Sequence, residues 1–581
     1  MYRIQKKQWN TLVSLIAVAA MLCPGPAVSQ ELPGATIRVN TRLVLVDVVV
    51  TDKQGHPING LKAENFTVQE KGKTQKIAFL TTPQQAQPAQ PPQLGPGIYS
   101  NKPEFRSPGG PITAILLDGA NTPFKDQAYA RSQMLKYVRD ELKPGQRVGV
   151  FTLTNSLGVL QDFTSDPQIL LAALQKFQPQ EQRLQNATPL TSGVTSADGG
   201  LHGGGALEVG IVQAVAAAQN FENLQVAYQL ERRVEVTLGA MRSLARILGG
   251  MPGRKEIIWL TAAFPFELIP QNRDVSEAEL LADLPNVKQK GVDTLAAGSM
   301  AENSRESHVQ EIRDVASQMA NAQIAVYPVD VRGLASGMEF EKEDASSQMG
   351  ATMASRAVVR MDDMTASQET MREMATETGG KAYVNQNEIK EGVALALADN
   401  AAAYTIGYYP EDKKWDGNYR AIKVKVDRDA EVRSRRGYFA IDPTQVKDKK
   451  SEQGVVEALH DAAPDTQVSF SAQVKPGDKG KVNVMFLVDP NTISADDASG
   501  GSKKINFVLY AAVLSPEGKI LENRSLKVDQ TFDAATYQKI MQQGGMLVPM
   551  DIDAQAGKNK LQLVVQDQKT GLVGSINAEM P

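Results

Sequence analysis

The chain has 581 residues, more than one hydrophobic core usually organises, so two or three domains are expected. Its 62 basic and 66 acidic residues leave a net charge of -4, which offers no long-range attraction to nucleic acid. The 42% hydrophobic and 22% charged content belongs to an ordinary globular protein.

Arg3, Lys6 and Lys7 precede the apolar run Thr11 to Cys23, and small residues follow up to Ser29. This is the pattern of a signal peptide over residues 1–29, removed on export. The run is shorter than the roughly 17 residues needed to cross a bilayer. No later segment is long and apolar enough to span, so the mature chain is expected to be periplasmic or extracellular, with no transmembrane span. Cys23 is the only cysteine. Cleavage after Ser29 therefore excludes disulfides, thiol nucleophiles and cysteine metal sites together.

Residues 35–82 hold β-branched runs separated by the polar turns "DKQGHPING" and "EKGK", which predicts a small N-terminal β unit. Residues 83–110, rich in Pro, Gln and Gly, read as an extended linker. From 111 to 403 strand and helix alternate. "PITAILLD", "QRVGVFTLT", "KEIIWLT" and "QIAVYPVD" are buried-type strands, and "DQAYARSQMLKYVRDEL", "DPQILLAALQKF" and "LGAMRSLARIL" have helical spacing. Such alternation predicts a parallel sheet with helices on both faces. It is interrupted by the Gly- and Ser-rich insertion "NATPLTSGVTSADGGLHGGG" and by a Met- and charge-rich excursion from Glu339 to Ala366. Residues 404–442 return to strands, expected to pair with the N-terminal unit in one β domain that the central domain interrupts. A charged linker, 443–454, leads to 455–581, where repeated short strands predict an all-β sandwich.

Asp118 closes the strand "PITAILLD", and open α/β sheets bind ligands at the carboxyl ends of their strands. "DGANT" (Asp118 to Thr122), followed by "RVGVFTLT" and "DFTSDPQILLAALQKF", resembles the von Willebrand factor type A domain. With "VLVDVVVTDKQGHPINGLKAENFTV" before it, "PGRKEIIWLTAAFP" inside it and "TGGKAYVNQN", "YTIGYYP" and "RSRRGYFA" after it, the stretch from Val39 to Ala440 resembles exported VWFA-related proteins of acidobacteria. The resemblance implies a Rossmann-like domain with a metal-ion-dependent adhesion site, Asp-x-Ser-x-Ser. There Mg²⁺ or another hard divalent cation is held by oxygens and waters and keeps one position for a carboxylate of the partner.

Matched position by position, the resemblance places Asp118 at the aspartate, Ala120 at the first serine, Thr122 at the second, Thr237 at the third-loop threonine and Ala262 at the last aspartate. Two of these five positions have lost their oxygen, so weak or absent metal binding is expected. Asn121, Asp126 and Asp330 are the neighbours placed to assist a retained ion. The alternative is that Asp118 orders its own loop through backbone N–H groups.

Enzymatic signals are weak. His56, His202, His308 and His460 lack metal-ligand spacing, "GLASGM" lacks a nucleophile elbow, and "GGMPGRKE" lacks a phosphate loop. The aromatics of "YTIGYYP" with Trp415, and the basic cluster "RSRRGYFA", are possible recognition surfaces, though strand packing and local ion pairs explain both. The expected function is non-catalytic binding of a protein or cell-surface ligand. The rivals are an envelope hydrolase with an unrecognised carboxylate pair and a structural envelope assembly factor.

Overall fold

The computed structural model describes residues 43–82, 92–106, 111–143, 145–180, 229, 231–263, 311–333, 364–365, 367–386, 388–440, 454–553 and 559–581. The expected signal peptide, the insertion containing "DGGLHGGG", most of the excursion from Glu339 to Ala366, and all but the last residue of the predicted linker 443–454 lie outside them. No helix among the described residues is long and apolar enough to cross a membrane.

The chain is a mixed α/β protein with several sheets. The central one runs Ile324–Asp330, Lys255–Thr261, Ile112–Asp118, Arg147–Leu153, Leu157–Thr164, with the first four strands parallel and the last antiparallel to its neighbour. This order is consistent with a von Willebrand A-like fold. Ile112–Asp118 lies in the middle and is buried at every position. Its side chains alternate between two cores. Ala114 and Leu116 join Val234, Leu238, Met241 and Leu248 of the helix over 231–249 on one face. Ile115 and Leu117 join Met134, Leu170 and Val393, from the helices Phe124–Asp140, Pro167–Lys176 and Ile389–Ala401, on the other. Burial on both faces is why these strands read as continuous apolar runs instead of alternating ones.

On either side of this domain in the sequence lie segments that share sheets. Val44–Thr51 pairs with Tyr404–Tyr408 and with Glu431–Ser434, and Tyr404–Tyr408 continues to Ile77–Thr81. A second sheet joins Tyr419–Val426 to Phe66–Glu70 and Gly437–Phe439. One apolar cluster serves both, with Val46, Val48, Val68, Tyr404 and Tyr408 at its centre. The tyrosines of "YTIGYYP" are thus largely core: Tyr408 donates to Glu70 Oε2 at 2.7 Å, beside the fully buried Arg420, and only Tyr409 is well exposed. The basic cluster is equally occupied. Arg433 pairs with Asp399, and Arg435 donates to the Leu45 carbonyl at 2.7 Å.

Lys73–Gln75 pairs with Phe66–Glu70, and the remaining described strands form two antiparallel sheets around a single apolar cluster. One contains Met546–Asp553, Lys481–Val488 and Phe470–Pro476, and the other Lys503–Leu514, Lys560–Asp567 and Val573–Glu579, with Ile520–Phe532 along the outer edge of Lys503–Leu514. The Pro/Gln-rich stretch corrects one expectation. Ile98–Ser100, inside the predicted linker 83–110, is a strand paired with Phe470–Pro476, and the buried Asn101 donates to the carbonyls of Asp465 and Val468 at 2.7 and 2.8 Å. Three residues are too few to show a period, and their partner lies far along the chain.

Candidate functional site

Asp118 ends the central strand, and the chain turns at once because the N–H groups of Gly119 and Ala120 both donate to the Leu153 carbonyl, at 2.7 and 3.0 Å. The turn brings Asn121 back over the carboxylate. Its backbone N–H donates to Asp118 Oδ1 at 2.9 Å and its side-chain Nδ2 to Oδ2 at 2.9 Å. The same Nδ2 donates to Thr237 Oγ1, also at 2.9 Å. From the neighbouring strand Trp259 Nε1 donates to Asp118 Oδ2 at 2.9 Å.

Thr237 stands near the start of the helix over 231–249, and its hydroxyl donates to the Arg233 carbonyl one turn earlier, at 2.7 Å. Arg233 Nε in turn donates to Asn121 Oδ1 at 3.1 Å. The orientation of the Asn121 amide follows from its partners: the NH₂ meets two acceptors and the oxygen meets a guanidinium. Asp118, Asn121 and Thr237 are 2%, 1% and 0% exposed. Burial pushes the Asp118 carboxyl above its ordinary value, against the hydrogen bonds from Asn121, Thr261 and Trp259. Burial likewise lowers Arg233, while attraction to Asp118 opposes the shift.

Thr122 faces elsewhere. Its Oγ1 accepts from the Ala262 N–H at 3.1 Å and its carbonyl accepts from Gln127 Nε2 at 2.8 Å, which ties the loop to the end of one strand and to the helix Phe124–Asp140. Phe124, the first residue of that helix, is 49% exposed beside the loop. Under the loop, Leu117, Asp118, Thr122, Gln127, Ala130, Phe177 and Leu260 line a cavity of about 10 Å³, room for one water at most.

Of the two acids placed to assist, Asp330 is held by Arg332, whose Nε and Nη2 donate at 2.9 and 2.7 Å, and by Gln368 Nε2 at 3.1 Å. Asp126 is half-buried, and burial raises its carboxyl against the influence of Lys125 and Arg332. Among the described residues no group of three or more His, Cys, Asp or Glu side chains is placed to hold a metal ion.

The fold therefore joins Asp118 to Thr237 through Asn121, and seats Thr122 separately on Ala262. Sequence reasoning overlooked Arg233 and Trp259. Arg233 had a signal, since it precedes Thr237 by four residues and shares its helix face. Trp259 had none beyond its place in a buried strand.

No protein-family model matches the chain, and no curated protein is significantly similar to it. Solved structures similar to it include a von Willebrand factor type A protein from Catenulispora acidiphila, 9% identical over 94% of this chain and 75% of that one, with TM-score 0.20. An aerotolerance-related membrane protein from Bacteroides fragilis is 13% identical over 50% of this chain and 99% of that one, with TM-score 0.23. BatB from Bacteroides thetaiotaomicron is 13% identical over 50% and 98%, with TM-score 0.22. At such values the reading of the fold rests on sheet order and helix placement, not on these likenesses.

Proposed function

We propose that this chain is an exported, non-catalytic binding protein of the von Willebrand A type. Its contact face is the carboxyl edge of the central sheet, around Asp118 and Phe124. The observation that carries the reading is the internally satisfied loop at that edge. Asp118, Asn121, Thr122 and Thr237 donate to and accept from one another and their neighbours, leaving a firm platform beside the exposed Phe124.

Burial raises Asp118 and Asp126 at the platform, but Asp118 is enclosed by its own hydrogen bonds, and Glu256 and Asp465, which burial also raises, stand away from this edge. Glu256 is the second residue of its strand, at the opposite end of the sheet, and Asp465 lies beside Arg246 of the helix over 231–249, so neither faces a cleft at the platform. The two C-terminal sheets read as a sandwich that positions the central domain. Its partner in this reading is a protein or surface ligand of the cell envelope.

A photo-crosslinking residue at Phe124, compared with one at Ile169 on another exposed helix position, tests the proposal in the native envelope. A discrete adduct from position 124 alone is expected. Equal adducts from both positions, or none from 124, would remove the binding-face assignment.

A further inference from the structure

The oxygens expected to hold a divalent ion are already committed. Asp118 accepts from Asn121 N, Asn121 Nδ2 and Trp259 Nε1. Thr237 gives its proton to the Arg233 carbonyl and accepts from Asn121 Nδ2, and Thr122 accepts from the Ala262 N–H. An Mg²⁺ ion bound to both Asp118 and Thr237 needs oxygens at about 2.0–2.1 Å. The point between these two oxygens is where Asn121 Nδ2 sits, 2.9 Å from each. A metal there would have to expel that amide and would add two positive charges close to the Arg233 guanidinium, with one carboxylate to offset three charges. This donor set does not fit a hard cation.

It fits a different arrangement. We propose that Arg233 is the resident cation of this site, seated by Asn121 and balanced by Asp118, and that it receives a carboxylate from an acidic segment of the protein partner without any metal. The inference rests on the binding function proposed above and specifies its chemistry.

Three features support it. Arg233 Nε is fixed on Asn121 Oδ1, which holds the plane of the guanidinium in place, while among the described residues neither terminal nitrogen has a hydrogen-bond partner. The side chain is only partly exposed, and a poorly hydrated guanidinium with a fixed plane is well suited to bidentate capture of a carboxylate. Asp118 lies behind the amide, so the pair is close to neutral. A bound carboxylate then leaves one net negative charge on the site and a phosphate dianion two, so the singly charged ligand meets the smaller repulsion from Asp118.

Hexaglutamate and hexaglutamine serve as probes for calorimetry on the full chain in EDTA, beside separate titrations with Mg²⁺ and Mn²⁺. Hexaglutamate is expected to bind saturably, hexaglutamine not at all, and neither metal to give a saturable heat at millimolar concentration. Arg233→Gln is expected to weaken hexaglutamate at least tenfold, and Arg233→Lys to retain part of the binding. Unchanged thermal unfolding and unchanged tryptophan emission establish that each variant is folded, and a variant that fails this check is replaced by Arg233→Met.

Absence of hexaglutamate binding, equal binding by a folded Arg233→Gln, binding that requires Mg²⁺, or a saturable metal heat lost in Asp118→Ala would each overturn the inference. The Phe124 adduct separates this failure from failure of the binding function. An adduct that forms but ignores Arg233→Gln sinks only the arginine, whereas a missing adduct sinks the contact face itself.

Discussion

Arg246 Nε and Nη2 both donate to Asp461 Oδ2, at 3.0 and 2.7 Å, across the junction between the helix over 231–249 and the C-terminal sheets. Ser243 donates to the other oxygen of Asp461 at 2.6 Å, and Arg246 Nη1 reaches Glu457 at 2.6 Å. One guanidinium thus serves two acids directly, with a third, the buried Asp465, at 3.8 Å. Arg246→Ala leaves these carboxylates without their cation, and a loss of about 3–5 kcal/mol is expected because an uncompensated buried charge is far costlier than a missing surface pair. Denaturant unfolding followed by near-ultraviolet circular dichroism measures it, and a loss below about 1 kcal/mol would show the cluster to be solvated.

The same junction contains a close backbone approach. A Cβ on Gly250 would lie 1.7 Å from the Thr466 carbonyl oxygen, which is backbone and has no freedom to swing aside. Gly250→Ala is expected to cost at least as much as severe core overpacking, about 3 kcal/mol. Limited proteolysis should then cut between the central and C-terminal parts. Wild-type stability with unchanged proteolysis would contradict the packing.

Glu256 is expected to be neutral at physiological pH. Burial raises its carboxyl to about 8, while the hydrogen bond from Thr113 and the charge of Arg254 act in the opposite direction. Its Oε2 is buried with no hydrogen-bond donor, a setting that disfavours the ionised form. A folded value above the ordinary one means that the folded chain holds the proton more tightly. The stabilisation is complete below the ordinary carboxylate range and disappears as pH rises through about 8. Glu256→Gln should therefore be nearly neutral at pH 5 and stabilising at pH 9, by an amount on the order of a few kcal/mol. Melting curves of both proteins across that range provide the check, and parallel pH profiles would refute it.

Asn121→Asp removes the bridging donor and sets a second carboxylate against Asp118 and Thr237. In EDTA the variant should lose about 1–3 kcal/mol through acceptors left facing one another. It should also gain Mn²⁺ binding that wild type lacks, because two carboxylates with a hydroxyl resemble a hard-cation site. Calorimetry with Mn²⁺ reads the gain. A stable variant that ignores Mn²⁺ would mean that the geometry around Thr237 cannot open.

Much of the central sheet was legible because burial on both faces leaves long apolar runs such as Ile112–Asp118 and Lys255–Thr261. Leu157–Thr164 went unread. As a half-exposed edge strand with Gly158, Gln161 and Asp162, it carries little periodic signal. Ile98–Ser100 was hidden by its length and by the proline-rich residues around it. At the candidate site, the loss of oxygens at Ala120 and Ala262 could be read directly. The use made of Asn121 could not, because it depends on Arg233 and Thr237 arriving from a helix more than a hundred positions away.

The interrupted β domain has a consequence for the order in which the protein is made. The Tyr404 hydroxyl donates to the Ile58 carbonyl and accepts from the Leu61 N–H, groups 346 and 343 residues earlier. Val44–Thr51, almost wholly apolar and buried when paired, leaves the ribosome with none of its sheet partners yet synthesised. At about 5–20 residues per second it waits tens of seconds, an open strand edge of the kind that aggregates. The central domain can complete its own sheet in that interval, whereas the β domain closes only after Ser434 has emerged. In a cell producing this chain Val44–Thr51 stays unpaired until those partners emerge, and a chaperone that shields extended apolar segments is the natural means of covering it.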